Sequence, residues 1–296
     1  MGKYQPCWCD SGRLYADCHR AIDAMSANGA IDGRRLEYAK RWSASSVSLQ
    51  KQDAYTWAAA QVACYKPVRI LDIGCGFGLG LKALHKAFGA QIVTTEENRF
   101  LASATVEHLR RSKIDASFLD RVRYTAQGDS FETEFERGVL REQAPVTIIG
   151  TDILAADTEL EQFLATVERF DLLTIWLIGT SPVNQYARHA AAQKLTDPRL
   201  YRESVHKICF QWANQFLRAD GVIHIVDRGP APDGEVTETD IKSFYEEYAQ
   251  NTGFRVKSLT WKPYLERSDG RGIPMQSGGR PTPSFLLSVV AQRPPA

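Results

Sequence analysis

The stretch Val68-Arg69-Ile70-Leu71-Asp72-Ile73-Gly74-Cys75-Gly76-Phe77-Gly78 decides the fold of this chain. Its first half is an aliphatic run interrupted by one acid, the pattern of a strand buried on both faces. Its second half places glycine at every other position, which lets the backbone turn sharply and approach a ligand with no side chain between. A helical pattern follows over Leu79–Phe88. Strand, glycine turn and helix in that order bring free amides and the positive end of a helix dipole to the turn.

Similar elements recur along the chain. Apolar runs at Gln91–Thr95, Val146–Gly150, Leu172–Gly179 and Val222–Asp227 have the same character, and Arg121–Thr125 is a weaker one. Helical patterns separate them at Phe100–Arg111, Glu159–Phe170 and from Tyr186 to Leu217. A last helix over Asp240–Asn251 precedes two strand-like runs, Arg255–Trp261 and Phe285–Ala291, with a loop rich in Gly, Pro and charge from Lys262 to Pro283 between them. This alternation predicts an α/β fold, a mostly parallel sheet with helices on both faces. Residues 21–66 read as a helical segment and residues 1–20 as a short cysteine-rich motif, leaving 67–296 for the α/β domain.

Composition excludes several classes. The 296 residues carry 36 Lys plus Arg against 35 Asp plus Glu, a net charge of +1, which argues against a nucleic-acid partner. A 44% hydrophobic and 24% charged composition is that of a globular chain. No apolar run approaches the roughly 20 residues that span a bilayer, and Met-Gly-Lys-Tyr-Gln-Pro lacks a signal peptide's apolar core. The expectation is a cytoplasmic protein with no membrane partner.

The glycine spacing narrows the ligand. A dinucleotide site reads Gly-x-Gly-x-x-Gly, whereas here it is Gly-x-Gly-x-Gly with an acid two residues before the first glycine. This resembles motif I of class I S-adenosylmethionine-dependent methyltransferases, over a region from about Val68 to Ala291. The resemblance implies a Rossmann-like, mostly parallel seven-stranded sheet, here with one strand more. It also implies that Asp72, Gly74, Cys75, Gly76 and Gly78 surround the methionine part of S-adenosylmethionine. An acid ending the next strand can accept both ribose hydroxyls, which assigns Glu96, with Glu97 as the second choice. Family members place an Asp after the third strand, near the adenine amine. Asp129 has the more typical local sequence, and Asp152 follows the more convincing buried strand. Either Asp also suits a plain helix N-cap.

The acceptor side is less explicit. Amine-methylating relatives carry Asn/Asp-Pro-Pro-Tyr/Phe after the fourth strand, but this chain has Gly179-Thr180-Ser181-Pro182. A base is required only where the nucleophile must lose a proton. Tyr186, His189, His206 and Tyr264 are candidates, each equally suited to ordinary packing, and no catalytic residue is assigned. Tyr38 and Trp42 stand in the helical segment that folds over the cofactor in relatives, where they either shut the pocket or simply pack.

Of six cysteines, three crowd the first eighteen residues. Cys7, Cys9, Cys18 and His19 supply three thiolates and an imidazole, the ligand set of a closed structural zinc site. A peptide this short cannot bury a core, so metal would be its main source of folding energy. The stretch resembles the SEC-C motif, with Cys7, Cys9, Ser11, Gly12, Tyr15, Cys18 and His19 on the pattern and Asp10 where Gly is commoner. That resemblance implies zinc and a protein-docking role. Three readings follow: a methyltransferase acting on a protein that docks through the zinc motif, a methyltransferase acting on a small molecule with a purely structural zinc motif, and a non-catalytic module that holds the cofactor.

Overall fold

The structure is a computed structural model and describes residues 2–7, 12–23, 26–127, 130–195, 197–229, 236–266, 271–273 and 284–294. The N-terminal part is helical: α1 (Arg20–Asp23), α2 (Ala27–Lys51) and α3 (Ala54–Gln61). β1 (Arg69–Ile73), α4 (Leu79–Phe88), β2 (Gln91–Glu96) and α5 (Arg99–Arg111) follow. Then come β3 (Ala116–Leu119), β4 (Val122–Gln127), β5 (Ser130–Phe135), β6 (Val146–Gly150), α6 (Thr158–Thr166) and β7 (Phe170–Trp176). The chain continues with α7 (Arg188–Ala192), α8 (Pro198–Phe216), β8 (Leu217–Gly229), α9 (Glu238–Tyr248), β9 (Arg255–Tyr264) and β10 (Ser284–Gln292).

Among the described residues the main sheet has eight strands in the order β3-β6-β2-β1-β7-β8-β10-β9. All its pairings are parallel except those of β10 with β8 and β9. The mostly parallel α/β fold expected from the sequence is therefore present, with eight strands. The extra strand is β3, at the edge. The weak run at Arg121–Thr125 becomes β4, which pairs with β5 in a separate two-stranded sheet. Together β3, β4 and β5 form an insertion between α5 and β6, so the strand beside β2 is β6. From β1 the chain builds outward through β2 to β6, then returns to build β7 and β8 on the other side of β1. This reversal between β1 and β7 opens a crevice at the carboxyl ends of the strands.

Successive residues of a strand face opposite sides of the sheet, and each side has its own core. Ile70, Ile92, Ile148, Leu172 and Val222 pack with Ala58, Leu81, Leu84 and Leu109 of α3, α4 and α5. Leu71, Val93, Ile149, Leu173 and Ile223 pack with Leu160, Phe163, Phe210 and Tyr245 of α6, α8 and α9. Each fully buried side chain of this size contributes about 1.5–3 kcal/mol, so the strand ends are held on a rigid frame. Helix α2 buries Ile31, Arg35, Ala39, Trp42, Ser46 and Leu49, a stripe spaced by three and four residues. That stripe lays α2 across the open crevice. No helix among the described residues is long and apolar enough to cross a membrane.

Candidate functional site

A cleft occupies the crevice, and the ends of four strands wall it: Ile73 of β1 and Gly74 after it, Thr95 and Glu96 of β2, Thr151 to Ile153 after β6, and Leu177 to Gly179 after β7. Two of the glycines are required sterically. Gly74 has φ +79, and a Cβ there would sit 2.6 Å from Ile178 Cδ1. Gly76 has φ +54, and its Cβ would sit 2.4 Å from Trp42 Nε1. The turn is pinned to the sheet because the Gly74 and Cys75 amides donate to Thr95 O at 2.9 and 3.2 Å. Gly78 does not wall the cleft. It opens α4 and allows Thr105 of α5 to pack close behind it.

Glu96 reaches the cleft from β2, buried, and its carboxylate accepts the Gly76 amide at 2.8 Å and the Asn98 amide at 2.9 Å. The acid and the glycine turn thus form one unit. Burial pushes the Glu96 carboxyl up to about 7, against the two amides that favour its ionised form. Asp72 and Cys75 lie beside the main cleft, in the wall of an adjoining recess of about 320 Å3 shared with Gly74, Gly76, Trp42, Tyr55 and Trp176. Asp72 accepts the Thr94 hydroxyl at 2.8 Å and the Thr174 hydroxyl at 2.6 Å, linking β1 to both neighbours. Burial raises its carboxyl to about 6.

Of the two candidates for the third cofactor acid, Asp152 lines the cleft and Asp129 lies outside the described residues. Asp152 accepts the Leu154 amide at 3.0 Å and the Tyr201 hydroxyl at 2.6 Å, and His189 Nε2 lies 3.0 Å from it. Burial alone would raise its carboxyl, yet these partners hold it below the usual range. Burial alone would lower His189, but Asp152 more than offsets that and raises it. Glu97 also lines the cleft and accepts the Asn184 side-chain amide at 2.5 Å. Burial first, then the Asp152 charge, pushes Glu97 up to about 8.

These shifts carry a sign. Asp72, Glu96, Glu97 and His189 all bind protons more tightly folded than unfolded. The stability that Asp72, Glu96 and Glu97 contribute is complete below their unfolded pKa values and is lost as pH rises through about 6 to 8. The unliganded protein is expected to lose at least about 5 °C in Tm between pH 5.5 and 8, at 2–4 °C per kcal/mol. Glu97→Gln should flatten that slope. An equally steep slope in the variant would show that Glu97 ionises freely in the folded state.

Helix α2 closes the cleft from above. The Tyr38 hydroxyl fills the place of a Cβ at Gly179, 2.0 Å from it, and Trp42 lies over Gly76. Both line the cleft, and both also pack, Trp42 in the core on one side of the sheet and Tyr38 against it. Of the four candidate bases, His189 reaches the acid cluster. Tyr186 is exposed, Tyr264 lies near Glu266, and His206 is buried against Tyr245 and Tyr248. Sequence reading missed Asn184, Tyr201 and Leu177. Leu177 takes φ +58 at the end of β7, a strained left-handed conformation for a branched side chain that no local signal announces.

The cysteine-rich motif forms a compact knob. Pro6 and Leu14 make an antiparallel bridge, the Cys7 amide donates to Arg13 O at 2.8 Å, and Gly12 turns the chain at φ +73. Cys7 and Cys18 Sγ lie 3.1 and 3.2 Å from His19 Nδ1. The three donor atoms all lie within 4.8 Å of one another, a soft-donor cluster suited to zinc. Cys9, the fourth expected ligand, lies outside the described residues. The knob is fastened to α2: Arg13 pairs with Glu37 at 2.9 Å, Asp23 pairs with Arg34 at 2.5 Å and accepts the Tyr15 hydroxyl at 3.0 Å.

The SEC-C motif matches residues 5–21. No curated protein matches the chain. Similar solved structures include a Galdieria sulphuraria protein described as a sarcosine dimethylglycine methyltransferase, at 13% identity and TM-score 0.46 over 82% of this chain and 86% of that one. Another is the N-methyltransferase NodS of Bradyrhizobium japonicum, at 14% identity and TM-score 0.42 over 83% and 97%. A third is the O-methyltransferase TomG of Streptomyces achromogenes in complex with SAM, at 14% identity and TM-score 0.40 over 86% and 89%.

Proposed function

We propose that the chain is an S-adenosylmethionine-dependent methyltransferase. One observation carries the reading: at the switch point of a mostly parallel sheet, a glycine turn with no room for side chains and a buried acid ending the next strand are hydrogen-bonded to each other and together line one side of a single cleft. In this reading the turn, backed by Asp72, holds the methionine part of the cofactor and Glu96 holds its ribose hydroxyls. Thr151 to Ile153 flank the adenine end, with Asp152 fixed there by Leu154 and Tyr201. The bound cofactor supplies a methyl group on a sulfonium, for which in-line positioning provides most of the acceleration. Tyr38 and Trp42 exclude water from above. Zinc would be structural: Cys7, Cys18 and His19, with Cys9 as the expected fourth ligand, would hold it, and none of the three described ligands lines the cleft.

For the acceptor, the inward fastening of the knob onto α2 and the single cleft at the strand ends favour a small molecule. A protein acceptor docking through the knob draws support from its exposed Tyr4 and Leu14, which are 73% and 41% accessible. The test has two steps. Intact chain should bind S-adenosylhomocysteine in a calorimeter with a micromolar Kd, and absence of binding would remove the methyltransferase reading. Labelled S-adenosylmethionine added to a desalted lysate should then place label either in a low-mass fraction or in a protease-sensitive band. The first supports the small acceptor and the second the docked protein.

A further inference from the structure

The cysteine–histidine knob and the cleft share one element, α2, and use different sides of it. Arg34 and Glu37, one turn apart, take the knob's Asp23 and Arg13. Tyr38 and Trp42 project into the cleft. Between the two lies a close contact: Gly33 meets Ile22 so tightly that a Cβ there would stand 2.9 Å from Ile22 Cγ2. Further along, Arg41 donates to Gly272 O at 3.1 Å and Ser45 accepts the Ile273 amide at 2.9 Å. The first half of the helix is thus fastened by the knob at Gly33, Arg34 and Glu37 and its middle by residues 272–273 at Arg41 and Ser45, with Tyr38 between the two fastenings and Trp42 within the second.

We propose that the metal knob positions the cleft's lid: with its thiolate–imidazole site filled, the knob clamps the first half of α2 and so holds Tyr38 over Gly179 and Trp42 over Gly76. Arg13, Ile22, Asp23, Gly33, Arg34 and Glu37 are positioning residues, acting through α2 and touching no reacting group. Short metal-bound motifs owe their fold to the ion. Emptying the site therefore releases Tyr15, Ile22 and Asp23 from the helix together. Helix α2 on its own is a weak helix, since it carries glycines at 29 and 33 and no acid in its first turn. Its order there depends on what packs against it.

The substitution Gly33→Leu separates helix strength from knob contact. Leucine is a better helix former than glycine by nearly 1 kcal/mol, so if intrinsic helix strength held the lid, the variant would hold it better. If knob contact holds it, the variant is worse, because the leucine drives Ile22 off the helix while leaving all four metal ligands intact. Hydrogen exchange over residues 31–45 should rise at least tenfold in Gly33→Leu with its metal still bound, and likewise in intact chain stripped by a chelator. Protection in β1, β2 and β7 should be unchanged. This arm needs no cofactor. A second arm rests on the methyltransferase reading: S-adenosylhomocysteine affinity should fall about tenfold in both samples. Exchange within twofold of the intact, metal-loaded chain in either sample would overturn the proposal. Failure of the intact chain to bind S-adenosylhomocysteine would instead overturn the methyltransferase reading, with the exchange arm still deciding the clamp.

Discussion

Glu96→Ala should weaken S-adenosylhomocysteine binding about a hundredfold while leaving the protein folded. Two hydroxyls donating to one buried carboxylate are worth about 3 kcal/mol at charge-assisted strength, and each 1.4 kcal/mol is tenfold in Kd. The loss has a structural part as well, because Glu96 accepts the Gly76 and Asn98 amides and so shapes the turn it faces. Glu96→Gln separates the two. The amide keeps an acceptor for one backbone donor but sets its own NH2 against the other, so most of the loss should remain. Binding has a proton signature too. Ribose hydroxyls favour the ionised carboxylate, whose free-state value stands at about 7. Binding near pH 7 therefore expels a fraction of a proton, and the calorimetric enthalpy should differ between phosphate and Tris buffers. Affinity should rise from pH 6 to pH 8. Equal enthalpies in both buffers together with a wild-type Kd in Glu96→Ala would remove Glu96 from the cofactor site.

The second large effect is on stability. Asp72→Ala should destabilise the protein by roughly 3 kcal/mol, since it strands the Thr94 and Thr174 hydroxyls and leaves a cavity between three strands. At 2–4 °C per kcal/mol the fall in Tm is about 6–12 °C. Asp72→Asn should recover more than half of it, because the amide fills the space and one threonine hydroxyl can rotate to accept. The variant tests whether this motif acid is primarily a strut. A melting temperature within 2 °C of the parent, with cofactor affinity strongly reduced, would show that Asp72 serves the ligand alone.

The sequence was most legible where one physical requirement acts locally. β1 runs Arg69–Ile73 and α4 runs Leu79–Phe88 as expected, because a two-face-buried strand, a glycine turn and an amphipathic helix each leave an unmistakable spacing. The third cofactor acid was ambiguous because two candidate strands preceded two acids. In the sheet β6, which Asp152 follows, lies beside β2, a long-range placement with no local trace, while Asp129 lies outside the described residues. β3 and β5 escaped for a related reason: β3 is four residues long and β5, Ser-Phe-Glu-Thr-Glu-Phe, alternates weakly and pairs outside the main sheet. The long helical run expected from Tyr186 is broken into α7 and α8, with Asp197 capping α8 and Pro198 opening it, signals present in the sequence that the apolar pattern outweighed. Glu97, the second choice at the strand end, takes its environment from Asn184 and Asp152, far along the chain.

The bond from Thr174 to Asp72 bridges 102 positions, and the one from Tyr201 to Asp152 another 49. The knob's contact between Cys7 and His19 bridges only 12. Chain closure over short spans is fast, and long-range strand pairing is slow. As the chain leaves the ribosome, the knob can close around its ion while β7 is still unmade, and α2 can form against a finished anchor. The crevice, by contrast, has no floor until residue 174 has emerged and no complete wall until residue 205. If the knob takes a metal and the crevice a nucleoside, as proposed, a nascent or truncated chain would hold the first long before it could hold the second.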